Sequence, residues 1–156
     1  MNPNYKAVGG VEQVALYPTD AVTSALFSSR GCELTLASSP LVVELVDDGS
    51  HYEEEATNKD GATLVTHRLH LVADRRSAER WLEQDFLERA AVEGVVAVVT
   101  LCDGRRVLVG YSAHFGNEQP LRLDSLTSSS GEGAHDSPRV TLQLHSDDTE
   151  FSTELI

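Results

Sequence analysis

The residues best suited to acid–base or metal chemistry in this chain are its six histidines. His67 and His70 lie three residues apart in the stretch TLVTHRLHLVA, which is predicted to be a strand. Side chains alternate along a strand, so this odd offset places the two rings on opposite faces and makes them a poor metal pair. His114 and His135 fall in predicted loops, where solvated side chains are expected. The sequence contains no HExxH and no paired CxxC, so it has neither of these zinc-binding patterns.

Nucleophile and phosphate-binding motifs are also missing from the sequence. It contains no GxSxG, GxxxxGK[ST] or GxGxxG. Cys102 lies beside a predicted turn, and Cys32 is far from it along the chain, so two reduced thiols are expected. A disulfide between the two cysteines is the alternative. The Gly-Glu-Gly at 131–133 lacks a strand-to-helix context and indicates a flexible loop.

The acidic run Glu53, Glu54 and Glu55 is the remaining candidate for ion binding or acid–base chemistry. Neighbours on a strand point to opposite faces, so such a run cannot converge on one ion. The preceding Asp-Asp-Gly lacks the regular spacing of an EF-hand loop. The sequence therefore predicts no catalytic residue, no cofactor site and no metal site, and it favours a protein that is not an enzyme.

The length and charge of the chain argue against several classes of protein. The 156 residues fit a single domain, and 25 acidic against 12 basic residues give a net charge of −13. Such a surface lacks the clustered Lys and Arg that bind nucleic acid, and it is repelled by anionic membranes. No apolar run is long enough for a transmembrane helix, and MNPNYKAVGG does not resemble a secretory signal. We therefore expect a cytoplasmic protein that binds neither nucleic acid nor membrane.

Strand patterns dominate the first half of the chain. Residues 1–10 are predicted to be a loose arm, and the single domain is expected to cover 11–156. VEQVALY at 11–17 is a predicted strand ended by Pro18, and CELTLAS at 32–38 alternates like a half-buried strand. LVVELVD at 41–47 is apolar almost throughout, which predicts a strand covered on both faces. DAVTSALF at 20–27 fits either a short helix or a strand.

The next part of the chain is predicted to contain a long strand and the single helix. HYEEEATNKDGA is either a solvated strand with a turn or a loop, and 63–73 is a long strand on which His67 interrupts one apolar face. A helix is predicted over 74–93, capped by Asp74 or Ser77 and ended at Gly94. Its apolar stripe should pack on a sheet and is interrupted at one position by a charged residue; it comprises Ala78, Trp81, Leu82, Phe86, Arg89 and Ala90.

A hairpin follows the helix, because VVAVVTL and RVLVGYS flank Asp103 and Gly104. Gly110 indicates a bulge or a close backbone approach. LRLDSL, a Ser/Gly loop at 128–138, the alternating strand RVTLQLHSD and a final edge strand complete the chain. Turns join most strands, which favours antiparallel pairing. The expected fold is α+β: a β-rich, mostly antiparallel barrel or sandwich with one amphipathic helix packed on it.

The order of these elements over residues 62–152 resembles small phage and prophage tail tube or tail-associated virion proteins. The resemblance lies in a strand, one helix, the hairpin VVAVVTLCDGRRVLVGYS, and then PLRLDSLTSSSGEGAHDSPRVTLQLHSDDTEFS. It implies a β-barrel or sandwich protomer that assembles into a ring or tube, with an acidic surface along which DNA slides without binding. It assigns no functional residues.

Three hypotheses about function follow. The leading one is a structural protein that forms a homo-oligomer or assembles with other structural proteins, in the cytoplasm or in a virion. The second is a binding module, which predicts a concave apolar pocket with a few polar groups. The third is an enzyme whose site is assembled in space, which predicts a cleft that gathers several of His67, His70, His114, Cys102 and the carboxylates.

Overall fold

A computed structural model describes residues 10–46, 49–131 and 138–156. The predicted arm lies outside these ranges except for Gly10, as do residues 132–137 of the predicted Ser/Gly loop. The strands in the described ranges are β1 Val11–Pro18, β2 Val22–Ser28, β3 Gly31–Leu36, β4 Leu41–Val42, β5 His51–Lys59, β6 Ala62–Asp74, β7 Val95–Leu101, β8 Arg106–Val109, β9 Arg122–Ser129, β10 Arg139–Asp148 and β11 Thr153–Glu154.

The strands form three layers, and this confirms the predicted β-rich α+β sandwich. The middle layer is a five-stranded sheet with the order β11-β8-β7-β1-β4. A four-stranded sheet, β5-β6-β10-β9, packs on one face of it, and the hairpin β2-β3 packs on the other. All ladders between the named strands are antiparallel. The single α-helix of the described ranges, α1, spans Gln84–Val92 and packs at the edge of the main core.

Strand β7 lies at the centre of the molecule. Val95, Ala97 and Val99 belong to the main core, which fills the space toward the four-stranded sheet. Val96 and Val98, one residue out of phase, belong to a second apolar cluster under the hairpin β2-β3. A strand that is apolar at every position is stable here because both of its faces are removed from water.

The segment 41–47 was predicted to be a strand covered on both faces, and this prediction is wrong. Of the described residues 41–46, only Leu41–Val42 forms a strand, and Val42 is 45% exposed. This segment pairs with β1 at the end of the middle sheet, whereas the doubly covered position belongs to β7. An apolar run predicts burial, but the place of the segment in the sheet, and so the extent of its burial, depends on pairings that the run does not encode.

The predicted helix is much shorter than expected. Strand β6 continues to Asp74, which pairs with Arg139 of β10, so a helix cannot begin at that residue. A 3-10 turn follows at Glu79–Leu82, and Glu83, with ψ of 137°, separates it from α1. Neither the turn nor the helix has a side-chain N-cap hydrogen bond, so the predicted cap at Asp74 or Ser77 is wrong.

The apolar stripe of the predicted helix nevertheless reaches the core. Ala78, Trp81 and Ala90 are at most 2% exposed, and the charged interruption, Arg89, is exposed as its chemistry requires. Trp81 anchors the segment as expected. Its indole N–H has no hydrogen-bond partner among the described residues, so the burial of its apolar ring outweighs an unsatisfied donor.

The turn predictions are confirmed. Asp60 and Gly61 both have positive φ, at 53° and 86°, and close a two-residue hairpin between β5 and β6. Gly104, with φ of 93°, lies in the loop between β7 and β8. Gly110 is a close backbone approach, because an added Cβ would lie 2.9 Å from the carbonyl oxygen of Val95. The ambiguous DAVTSALF resolves into a 3-10 turn, Thr19–Ala21, followed by strand β2.

The C-terminal tail, residues 149–156, contains the predicted final strand, β11, and it contacts two layers of the structure. Strand β11 pairs with β8 at the end of the middle sheet. Beyond it, Leu155 forms a parallel bridge with Cys32 of β3, and the Ile156 N–H donates to the Cys32 carbonyl at 3.1 Å. The tail therefore joins the hairpin β2-β3 to the middle sheet.

Replacement of Gly94 by alanine is predicted to lower the free energy of unfolding by about 3 kcal/mol. Gly94 ends α1 with φ of 82°, and its added Cβ would lie 2.6 Å from Cγ of Pro120 and 2.8 Å from the carbonyl oxygen of Leu121. Gly61→Ala is the matched control, since φ is 86° there but nothing lies within 4 Å. It should lose only about 1 kcal/mol. Urea denaturation of both variants checks the difference, and equal losses would contradict the packing argument.

Candidate functional site

The histidines that the sequence singled out lie on separate surfaces of the described structure. His67 faces the core of the sandwich and His70 faces outward, as the strand offset predicts. On the outer face His70 stacks on His51, with ring centroids 4.8 Å apart. His114 lies in a loop beside Phe115, and His135 is outside the described residues. The structure therefore does not bring His67, His70 and His114 together.

The two cysteines are free thiols, in agreement with the predicted reduced state. Cys32 is fully buried beneath the hairpin, and burial raises the pKa of its thiol, with the charge of Glu33 adding to the effect. Cys102 lies in the loop between β7 and β8, partly exposed. In the described ranges, no group of three or more His, Cys, Asp or Glu side chains could hold a metal ion.

The one chemically rich cluster lies where the tail crosses β5 and β6, and we call it the C-terminal clasp: Tyr52, Glu54, His67, Glu150 and Ser152. His67 is 4% exposed, and its Nε2 donates to the carbonyl oxygen of Glu150 at 2.9 Å. This bond assigns the proton of the neutral ring to Nε2, since a carbonyl only accepts. The Tyr52 hydroxyl then donates to Nδ1 at 2.6 Å, so both ring nitrogens are engaged.

The second half of the clasp is a carboxylate that holds the tail by its backbone. The N–H and the hydroxyl of Ser152 donate to the two oxygens of Glu54, each at 2.8 Å. Hydrogen bonds to a charged acceptor are stronger than neutral ones, and this carboxylate is only 21% exposed. Just before it, Asp148 accepts from the N–H groups of Thr149 and Glu150 and fixes the turn out of β10.

The clasp contains a serine, a histidine and a carboxylate, but not in the arrangement of a catalytic triad. In a triad the histidine accepts the proton of the serine hydroxyl, and the carboxylate orients the histidine. Here the Ser152 hydroxyl donates to Glu54. Nδ1 of His67 lies 3.7 Å from the Glu54 carboxylate, and this nitrogen accepts the hydrogen bond of the Tyr52 hydroxyl instead. This geometry binds the tail to the sheet and leaves no activated nucleophile.

The clasp also changes the acidity of Tyr52. Burial raises the pKa of its phenol, the negative charge of Glu54 raises it further, and a contact with Ser152 opposes the shift. The protonated hydroxyl is the form that donates to His67. The tyrosine is therefore held in the state that the clasp needs.

The sequence pointed to His67 and to Glu54 separately, but it did not connect them, and it did not indicate Tyr52 or Ser152. Tyr52 and Glu54 lie at alternate positions of β5, and the acidic run does alternate as predicted, since Glu53 and Glu55 turn outward to Arg68. The available signal was a histidine on an apolar strand face, which needs polar partners when buried. Ser152 lies 98 residues from Glu54, and no local pattern connects them.

A cleft of about 260 Å³ lies between α1 and strands β1 and β4. Arg89, the charged interruption of the apolar stripe, lies on its wall together with Arg80, and Glu83 and Asp85 supply two negative charges. Arg80 is paired only weakly with Glu83, at 4.0 Å. The remaining lining residues are Leu16, Tyr17, Pro18, Ser39, Leu41, Phe86 and Val95. The cleft is concave, partly apolar and balanced in charge.

Six strands of the described structure have no β-ladder along one edge: β2, β3, β4, β5, β9 and β11. A single bridge between Leu155 and Cys32 connects the end of the tail to β3. β4 is two residues long. β5 carries three glutamates and a lysine, and β9 carries Arg122, Asp124 and a break in register opposite Gln143. Strand β2, VTSALFS, has no charged residue. The edges therefore differ in how well they are protected against pairing with another chain.

Comparisons with known proteins assign no family. No protein-family model matches this chain, and no curated protein or solved structure matches it. Where the structure is described, no helix has the length and apolar character needed to span a membrane.

Removal of the Glu54 carboxylate is predicted to loosen the tail. Glu54→Ala leaves the N–H and hydroxyl of Ser152 without their acceptor, which should lower the free energy of unfolding by about 2 kcal/mol. It should also speed amide hydrogen exchange at Leu155 and Ile156. Glu55→Ala is the control, because this neighbour is 59% exposed and pairs with Arg68 on the outer face. Its stability and exchange should stay close to wild type, and similar effects in both variants would argue against the clasp.

The raised pKa of Tyr52 predicts a specific loss of stability in alkali. Above about pH 10 the phenol ionises in the unfolded chain but not in the folded one, so rising pH favours unfolding. The share of the free energy of unfolding that comes from protonated Tyr52 is fully present below that pH, and it falls by about 1.4 kcal/mol for each further pH unit. Tyr52→Phe should lack this slope. Denaturation of both proteins from pH 8 to 11 gives the comparison, and parallel curves would contradict the prediction.

Proposed function

We propose that this chain is a non-enzymatic structural protein that assembles with copies of itself or with other structural proteins. The observation that carries the proposal is the set of six strand edges without a β-ladder in the described structure. Unpaired edges expose backbone donors and acceptors to other chains, and edge pairing is a common way for β-proteins to assemble.

The hydrogen bonds of the clasp also support the structural proposal. Its serine, histidine and carboxylate, which an enzyme would use on a substrate, bind the tail to β5 and β6 instead. Through β11 the same tail contacts the middle sheet and the hairpin. Three layers tied together in this way form a stiff unit, as a building block of an assembly requires.

The proposal includes a phage or prophage tail component, located in the cytoplasm or in a virion. Its support is the resemblance over residues 62–152, together with the shape of the β5-β6 hairpin. Residues 57–63 at the tip of this hairpin are exposed, and β10 pairs with β6 only as far as Val65. A hairpin that extends beyond its sheet can contact a neighbouring copy. The net charge of −13 suits a surface along which DNA passes without binding.

A binding module is the second candidate, and the cleft beside α1 favours it. The backbone carbonyl of Arg89 accepts hydrogen bonds at the end of α1, but its side chain has no hydrogen bond or ion pair to another described residue and can meet a carboxylate ligand. Phe86 and Leu41 supply apolar wall for the body of such a ligand. This function needs no assembly and predicts a protein that works as a monomer.

Assembly is predicted to strengthen with salt as well as with protein concentration. Two copies of charge −13 repel each other, and salt screens the repulsion. Size-exclusion chromatography with light scattering, at low and at about 0.5 M salt, should show a larger mass at high salt. Electron microscopy of the largest species then identifies a ring, a tube or a closed oligomer.

A mass equal to the monomer at every concentration and salt would overturn assembly of this chain with copies of itself, and the structural proposal would then require another protein as the partner. In that case a rise in melting temperature with octanoate, lost in Arg89→Gln and kept in Arg76→Gln, would establish the cleft as a binding site. Arg76 is exposed like Arg89 but does not line the cleft, which makes it the matched control.

A further inference from the structure

The free edge of β2 differs from the other edges of the described structure because it lacks the usual protection. Natural edge strands carry charges, prolines or bulges, or they are very short. β3, β5 and β9 are charged, β9 also has a break in register, and β4 and β11 are two residues long. β2 has a register shift between Val22 and Ser24, which leaves residues 24–28 as a regular edge without charge or proline.

An exposed apolar side chain lies on this same segment. Leu26 is 63% exposed, whereas its neighbours Ala25 and Phe27 point inward to the cluster under the hairpin. The apolar ring of Phe27 stacks on Tyr111 at 6.3 Å, with planes 3° apart. β2 is therefore fixed on its inner face, and its outer face carries a leucine that nothing covers.

We infer that the regular edge of β2 pairs antiparallel with β2 of a second copy of this chain. The inference rests on the proposed function, and it names the partner and the contact. Charge favours this contact between two copies. Two chains of −13 repel each other less at an edge strand without acidic groups, and residues 22–28 contain none. The acidic residue opposite Leu26 in the hairpin, Glu33, lies on β3, one strand away from the edge.

The sequence of the strand also fits a symmetric contact. In a two-fold antiparallel pair, each residue meets its symmetry partner about a central position. A pair centred on Leu26 places Ser24 opposite Ser28 and Ala25 opposite Phe27. The two Leu26 side chains then lie side by side on the outer face and cover each other. The result is a continuous four-stranded sheet, β3-β2-β2-β3, across the dimer.

A charge at the centre of this contact tests the inference. Leu26→Lys places two ammonium groups opposite each other and removes the apolar contact, so dimerisation should weaken by roughly tenfold or more. Val92→Lys is the matched control, because Val92 is also an exposed apolar residue, at 74%, and lies on α1. Light scattering across concentration at about 0.5 M salt compares both with wild type, and circular dichroism verifies folding.

The outcomes separate this inference from the function on which it rests. Wild-type assembly that Leu26→Lys weakens and Val92→Lys preserves supports the β2 contact. Assembly that Leu26→Lys leaves unchanged overturns the contact and leaves the structural proposal standing. A wild-type protein that remains monomeric overturns the β2 contact together with assembly of this chain with copies of itself.

If Leu26→Lys does not fold, a disulfide cross-link tests the β2 contact instead. Directly opposed residues of an antiparallel pair have Cα atoms about 4.5–5.5 Å apart, within the range of a disulfide. Leu26→Cys should therefore give a disulfide-linked dimer on mild oxidation, seen on a non-reducing gel. Wild type and Val92→Cys control for cross-links through Cys102. A Leu26→Cys protein that dimerises no more than these controls overturns the inference.

Discussion

Burial of β7 on both faces is the constraint on which the rest of the structure depends. Its odd and even residues from Val95 to Val99 belong to two different apolar clusters, so a layer must cover each face. The four-stranded sheet covers one face, and the small hairpin β2-β3 covers the other. If either layer were lost, a row of valine side chains would meet water at a cost of about 1.5–3 kcal/mol each.

A two-stranded hairpin is marginally stable by itself, and the tail supplies what it lacks. Leu155 and Ile156 hydrogen-bond to β8 and β3, so they join the hairpin to the middle sheet. The clasp holds the same tail on β5 and β6 at Glu150 and Ser152. The polar cluster around His67 is thus linked to the apolar cluster around Cys32 through the short segment 150–156. Residues that looked suited to catalysis or to ion binding have a structural use in this arrangement.

The charge of the chain and its unpaired strand edges act in opposite directions. A net charge of −13 keeps copies apart, while open strand edges allow them to pair. Acidic residues on β5 and a register break in β9 protect two edges, and β2 is left without charge. The proposed contact through this neutral segment would join copies of like net charge where neither edge strand carries a charged side chain. Because net charge opposes pairing at the strand edges, the proposed association should depend on ionic strength.

The sequence by itself determined those features that are local. Alternating apolar residues identified β3, β6 and β10, and the glycine turns placed the hairpins, because periodicity and turn chemistry act over a few residues. It also placed His67 and His70 on opposite faces. Only the tertiary structure decided where the helix starts, since pairing of Asp74 with Arg139 extends β6 into the predicted helix. The same holds for the doubly covered strand and for the clasp, in which Glu54 and Ser152 lie 98 residues apart. Contacts between distant segments depend on how the layers stack, and no short-range pattern encodes that.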